Sequence, residues 1–76
     1  MNEIEIAAGA AIAAQHMANA ARKRNQDEQQ FTVEGSRART CANANSALLE
    51  DAAEACELAV RKLMDAAARF NRMNDF

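Results

Sequence analysis

The chain has no proline, tryptophan or tyrosine, and in 76 residues it carries only two glycines, two cysteines, three phenylalanines and one histidine. Each shortage excludes something. Two thiols do not make a disulfide framework. Cys41 and Cys56, if held on one helix, stand about 22 Å apart, beyond any intramolecular bridge. A single histidine, His16, with no HxxxH, paired ExxH or CxxC spacing, leaves metal ligation without its usual donors. Gly9 and Gly35 stand alone, so no glycine-rich loop cradles a phosphate. No cofactor, no metal and no enzyme activity are expected. A Cys–His nucleophile would need His16 beside Cys41 or Cys56, but His16 falls on a polar helical face and Cys56 on an apolar one, where a buried thiol acts as a small hydrophobe. Cys41 is open between an exposed thiol in a turn and a symmetric intersubunit cysteine.

Large apolar residues are also scarce. Leu, Ile, Val and Phe together number 12, whereas alanine alone numbers 20. So few bulky side chains can signal disorder. Here the alanines fall at helical spacings, and alanine is the best helix former. Helices should form and approach closely, but the core of one chain should be thin. Association with a second copy or a partner is the expected remedy. Nine basic and eleven acidic residues leave a net charge of −2, which is neither a polycation for nucleic acid nor an acidic tail. The uncharged run Ile6–Ala14 is too short to span a bilayer, which needs about 20 apolar residues. Glu3 and Glu5 stand where a signal peptide would carry basic residues. The expectation is a cytoplasmic protein with no membrane partner.

What is present is a helical repeat. Leu49, Cys56, Leu63 and Phe70 recur every seven positions, with the pairs Ala52/Ala53, Ala59/Val60 and Ala66/Ala67 between them. This spacing predicts one apolar seam along a helix, extended backwards by Ala42 and Ala38 and forwards by Met73 and Phe76. No Pro or Gly interrupts it between Ala42 and Met73. Glu57–Arg61 and Asp65–Arg69 are i,i+4 pairs with the acid first, the better order, and mark the solvent side. Glu50, Asp51, Glu54 and Glu57 make an acidic patch whose default role is solvation.

An earlier helix is predicted from about residue 2 to 26. Asn2 and Glu5 have capping-box spacing. Ile6, Ala10, Ala13, Met17 and Ala20, beside Ala7, Ala11, Ala14, Ala18 and Ala21, are expected to form its packing face. Gln15, His16, Asn19, Arg22 and Lys23 are expected to face solvent. Arg22-Lys23-Arg24 suit a helix C-terminus, where the dipole favours cations. Residues 27–37 are predicted as a loop, although Asn25–Gln30 could add a turn or two to the helix. Phe31 and Val33 are β-leaning but have no second strand to pair with, so they are expected to fold back on the helices, with Gly35 supplying a positive-φ turn. The second helix is placed at about 38–73; Ser36, Thr40, Asn43, Asn45 and Ser46 are each possible N-caps.

The fold class that follows is all-α: one domain over residues 1–76, a two-helix antiparallel hairpin that dimerises into a four-helix bundle. Unequal helix lengths should leave the C-terminal seam short of an intrachain partner. The expected interface residues are Leu49, Cys56, Val60, Leu63, Ala67, Phe70 and Met73 on the second helix and Ile6, Ala10, Ala13 and Met17 on the first. The expected function is a homodimeric regulator or inhibitor that binds another protein, with Phe31 and Val33 available to that partner. Small regulators and phage-encoded inhibitors share this size, an analogy of scale. A second expectation is a nucleic-acid-binding helical dimer using Arg22, Lys23, Arg24, Arg37 and Arg39 near the loop, with a steep salt dependence. In size and central bend the hairpin also resembles the small WxG-type secreted proteins, which would imply an exported hairpin or its chaperone; Val33-Glu34-Gly35 occupies the bend, without the tryptophan.

Overall fold

The computed structural model describes residues 2–74, with the side chain of residue 74 outside the description. Two helices fill it, α1 (Glu3–Phe31) and α2 (Arg37–Asn74), joined by five residues and folded back on one another. The hairpin is a rod of 62 × 16 × 14 Å. Its radius of gyration of 17.3 Å compares with about 11 Å for a compact domain of this length. Among the described residues no helix is long and apolar enough to cross a membrane.

The local chemistry explains both helix starts and the bend. Asn2 is the N-cap of α1, its Oδ1 accepting a 2.9 Å hydrogen bond from the Glu5 backbone N–H. This is the forward half of the expected capping box, and Glu3 and Glu5 then lie at the positive end of the helix. Ser36 caps α2, its Oγ accepting from the Arg39 N–H at 3.2 Å. Between the helices the Val33 carbonyl accepts from the Ser36 N–H at 3.0 Å. Gly35, at φ 83°, supplies the positive-φ position that this reversal needs, as expected.

Three features of the first helix differ from expectation. It runs five residues further, through Phe31, because Gln26–Gln30 are acceptable helix formers and because Asn25 and Gln29 find partners on α2. The basic triplet therefore lies two turns inside the helix, and the cation at the helix end comes from the other helix. Arg39 donates from Nη2 to the Thr32 carbonyl at 2.9 Å and from Nε to Thr32 Oγ1 at 3.3 Å, covering a C-terminus whose own last turn holds no basic residue. Finally, Phe31 and Val33 do not fold back: they are 81% and 78% exposed.

The two helices meet along a heptad seam. On α2 the seam runs Arg39, Ala42, Ser46, Leu49, Ala53, Cys56, Val60, Leu63, Ala67 and Phe70, with Glu50, Ala59 and Ala66 half-covered beside it; its steps of three and four are those the sequence predicts from Leu49 onward, and Ser46, a possible cap in the sequence, lies in it. Ala38, expected in this seam, is exposed, and Arg39 lies there instead. On α1 the seam is Ile4, Ala8, Ala11, Gln15, Ala18, Arg22, Asn25, Gln29 and Thr32. This corrects the first-helix packing face. Ile6, Ala10, Ala13, Met17 and Ala20 all point away from α2, and Gln15 and Arg22, expected in solvent, lie in the seam. The reason is register. Half of α2's seam near the loop is polar (Arg39, Ser46, with Asn43 and Glu50 beside it), and the Arg22–Asn25–Gln29 row of α1 meets it with hydrogen bonds to Glu50, the Ala42 carbonyl and Asn43.

Packing along this seam is shallow. The buried residues are Ala8, Ala42 and Ala53, at 5%, 4% and 6% exposure, and no larger side chain is fully buried among those described. A compact monomer of 8.3 kDa would expose about 4,600 Å². The hairpin exposes 5844 Å², an excess of about 1,300 Å² over that scaling.

Candidate interaction surface

The described residues enclose no cavity and gather no cluster of His, Cys, Asp or Glu able to hold a metal ion. The outer surface of the hairpin is unevenly divided. In an antiparallel helix pair the positions flanking the seam on its d side lie on one broad face of the hairpin for both helices, and those flanking the a side lie on the other. With Ala8 and Ala53 at a-type positions, the first face carries Ala7, Ala10, Ala14, Met17 and Ala21 from α1. From α2 it carries Cys41, Leu48, Ala52, Ala55, Ala59 and Ala66. Along α1 from Ile4 to Ala21 that face has no charged or polar residue; along α2 from Ala38 to Ala66 it has only Asn45 and Lys62. The second face carries Glu5, His16, Asn19, Lys23 and Gln26 against Asn43, Glu50, Glu54, Glu57 and Arg61, with Ile12 and Met64 as its large apolar members.

The polar contacts of the seam sit at the loop end. Asn25 Nδ2 donates to the Ala42 carbonyl at 2.9 Å, Gln29 Nε2 to Asn43 Oδ1 at 3.1 Å, and Arg22 Nη1 to Glu50 Oε2 at 3.2 Å. Each joins a residue of α1 to one of α2, with Arg22–Glu50 and Gln29–Asn43 sharing the same summed position, as an antiparallel pairing requires. Thr32 and Thr40 hydroxyls donate to the Glu28 and Ser36 carbonyls, the ordinary back-bonding of β-hydroxyls within a helix turn. Away from the seam, Asp65 and Arg69 form the expected i,i+4 pair at 3.4 Å; Glu57 and Arg61, spaced alike, are not paired.

The sequence-predicted residues fall into three groups. Leu49, Cys56, Val60, Leu63, Ala67 and Phe70 lie half-buried in the seam against α1, so the C-terminal seam is partly covered within the chain rather than bare; α2 is nine residues longer than α1. Met73 is 75% exposed, and Ile6, Ala10, Ala13 and Met17 are exposed on the outer side of α1. Phe76 lies outside the described residues. Of the five basic residues near the loop, Arg22 and Arg39 are engaged within the hairpin, while Lys23, Arg24 and Arg37 are exposed. Cys41 is an exposed free thiol on α2, not in a turn, and Cys56 is half-buried.

Sequence reasoning missed the outward apolar row of α2. Leu48 is 67% exposed and lies one helical step from the seam, with Ala52, Ala55 and Ala59 continuing the row. The signal was available: the apolar sector of α2 is wider than one neighbouring helix can cover. No protein-family model, no curated protein and no solved structure matches the chain.

Proposed function

We propose that this chain is a non-enzymatic protein–protein interaction module that works as a homodimer, two hairpins forming a four-helix bundle, and that the dimer regulates or inhibits another protein by binding it. The observation that carries this reading is the area left uncovered. The hairpin's excess of about 1,300 Å² exceeds the roughly 800 Å² that each partner contributes to a standard stable interface, and among the described residues only three alanines are buried. A second hairpin supplies helices at the spacing that alanine-rich faces favour. Phe31 and Val33 stand out at the bend, away from the rod's length, where they remain available to a target after the rods have paired. Buried aromatic anchors of this sort carry a large share of binding energy in protein interfaces.

Thermal melting at several concentrations tests the reading. If folding depends on association, the melting midpoint rises with protein concentration. A midpoint that stays constant over a hundredfold dilution refutes it.

A further inference from the structure

We infer that the second copy sits on the alanine-rich face that contains Met17, Leu48 and Ala52, leaving the charged face that contains Glu50, Glu54 and Met64 in solvent. This deepens the proposal of a homodimer, on which it rests. Three observations select this face. First, its central stretch, Ala7–Ala21 of α1 beside Leu48–Ala66 of α2, holds one charged residue, Lys62. Pairing two such faces buries no like-charged cluster and few groups in need of a partner. The opposite face would bring four carboxylates of each copy, Glu50, Glu54, Glu57 and Glu5, into one interface. Second, the face is long enough. The rod's 62 × 16 Å side projects about 1,000 Å², of which the apolar centre is roughly half, a core-and-rim division typical of stable interfaces. Third, the large side chains on it are exposed in the hairpin, Met17 at 72% and Leu48 at 67%, among alanines that leave room for a facing copy's bulky groups.

Two methionines report on the assignment in the native protein. In the hairpin alone Met17, at 72% exposure, should oxidise faster than Met64, at 51%. If a second copy covers the alanine-rich face, the order reverses. Dilute hydrogen peroxide, followed by peptide mass spectrometry on protein whose mass has been measured by sedimentation in the same buffer, should show Met17 reacting about fivefold or more slower than Met64. A dimer in which Met17 is still the faster of the two overturns the face assignment but keeps the homodimer. A monomer overturns the homodimer itself. A pair of exposed-site variants supplies the second readout. Ala14→Glu with Ala55→Glu on this face should weaken association at least about a hundredfold, because it buries carboxylates without partners. Ala47→Glu with Ala68→Glu on the opposite face should leave the dimer mass unchanged. If the two double variants behave alike, or in the reverse order, the assignment fails.

Discussion

The two ends of this hairpin are held by different forces. Near the loop the helices meet through Asn25 on the Ala42 carbonyl, Gln29 on Asn43, Arg22 on Glu50 and Arg39 on the end of α1. Near the free ends Ile4, Ala8 and Ala11 lie against a stretch of α2 that offers Val60, Leu63 and Ala67. A hydrogen bond contributes only about 0.5–1.5 kcal/mol net, yet it is demanding about geometry. Burying apolar area contributes more and tolerates sliding. The loop end therefore sets which residues face one another, and the free end supplies most of the cohesion, such as it is. With no side chain larger than alanine buried among the described residues, that cohesion is small for a rod this long.

The largest effect should come from the free end. Leu63→Ala removes the bulkiest aliphatic group of its half-buried seam and should cost about 2 kcal/mol, the low end for such truncations because the site is not fully buried. Chemical denaturation measures it, and a cost under half a kcal/mol would place Leu63 outside the cohesive contact. At the bend, Gly35→Ala puts a Cβ on a backbone with φ 83° and should cost about 1 kcal/mol; the space around it is open, so a larger loss would mean that something besides the backbone is strained. At the loop end, Asn25→Ala should cost about 1 kcal/mol. Its more telling sign is doubled amide resonances in an NMR spectrum, as the helices lose the bond that fixes their register. A single sharp set of peaks would return register control to the apolar end. The smallest effect should be Asp65→Ala, about 0.3 kcal/mol or less, since its pair with Arg69 is solvent-exposed.

This contrast also explains what could be seen in the sequence. The seam of α2 is legible from Leu49 to Phe70 because apolar residues mark both the three- and the four-residue steps; before Leu49 only Ala42 marks it, since Ser46 reads as a possible cap. The positive-φ turn at Gly35 and the Asn2 cap are legible because each rests on one residue with few alternatives. The inward face of α1 is not legible. Alanine occupies nine of the fifteen positions from Ala7 to Ala21 and falls on several faces, so hydrophobic spacing alone does not choose between them. The choice between them is made by Arg22, Asn25 and Gln29, whose partners are 14 to 28 residues away along the chain. A polar seam residue looks like a solvent residue until its partner is known. The same ambiguity hides the alanine-rich outer face. The spacing of Ile6, Ala10, Ala13 and Met17 suggests a packing face, and they face outward in the hairpin. Only the antiparallel geometry brings Ala10 and Met17 together with Leu48, Ala52 and Ala55 on one side of the rod.

The exposure of Phe31 and Val33 follows from α1 running through Phe31 rather than ending near residue 26. The added turn carries Phe31 to the tip on a regular helix instead of on a loop able to fold back. Replacing both with serine should leave the mass and helicity of the protein unchanged while removing binding to a target that depends on the tip.

The claim on which these outcomes depend is that one chain of this composition is incomplete as a folded unit. Sedimentation equilibrium over a wide range of concentration tests it most directly. The account predicts a species of twice the 8.3 kDa chain mass, with helicity lost as dilution returns it to the monomer. A chain that sediments at 8.3 kDa at every concentration, fully helical and melting cooperatively, would contradict it.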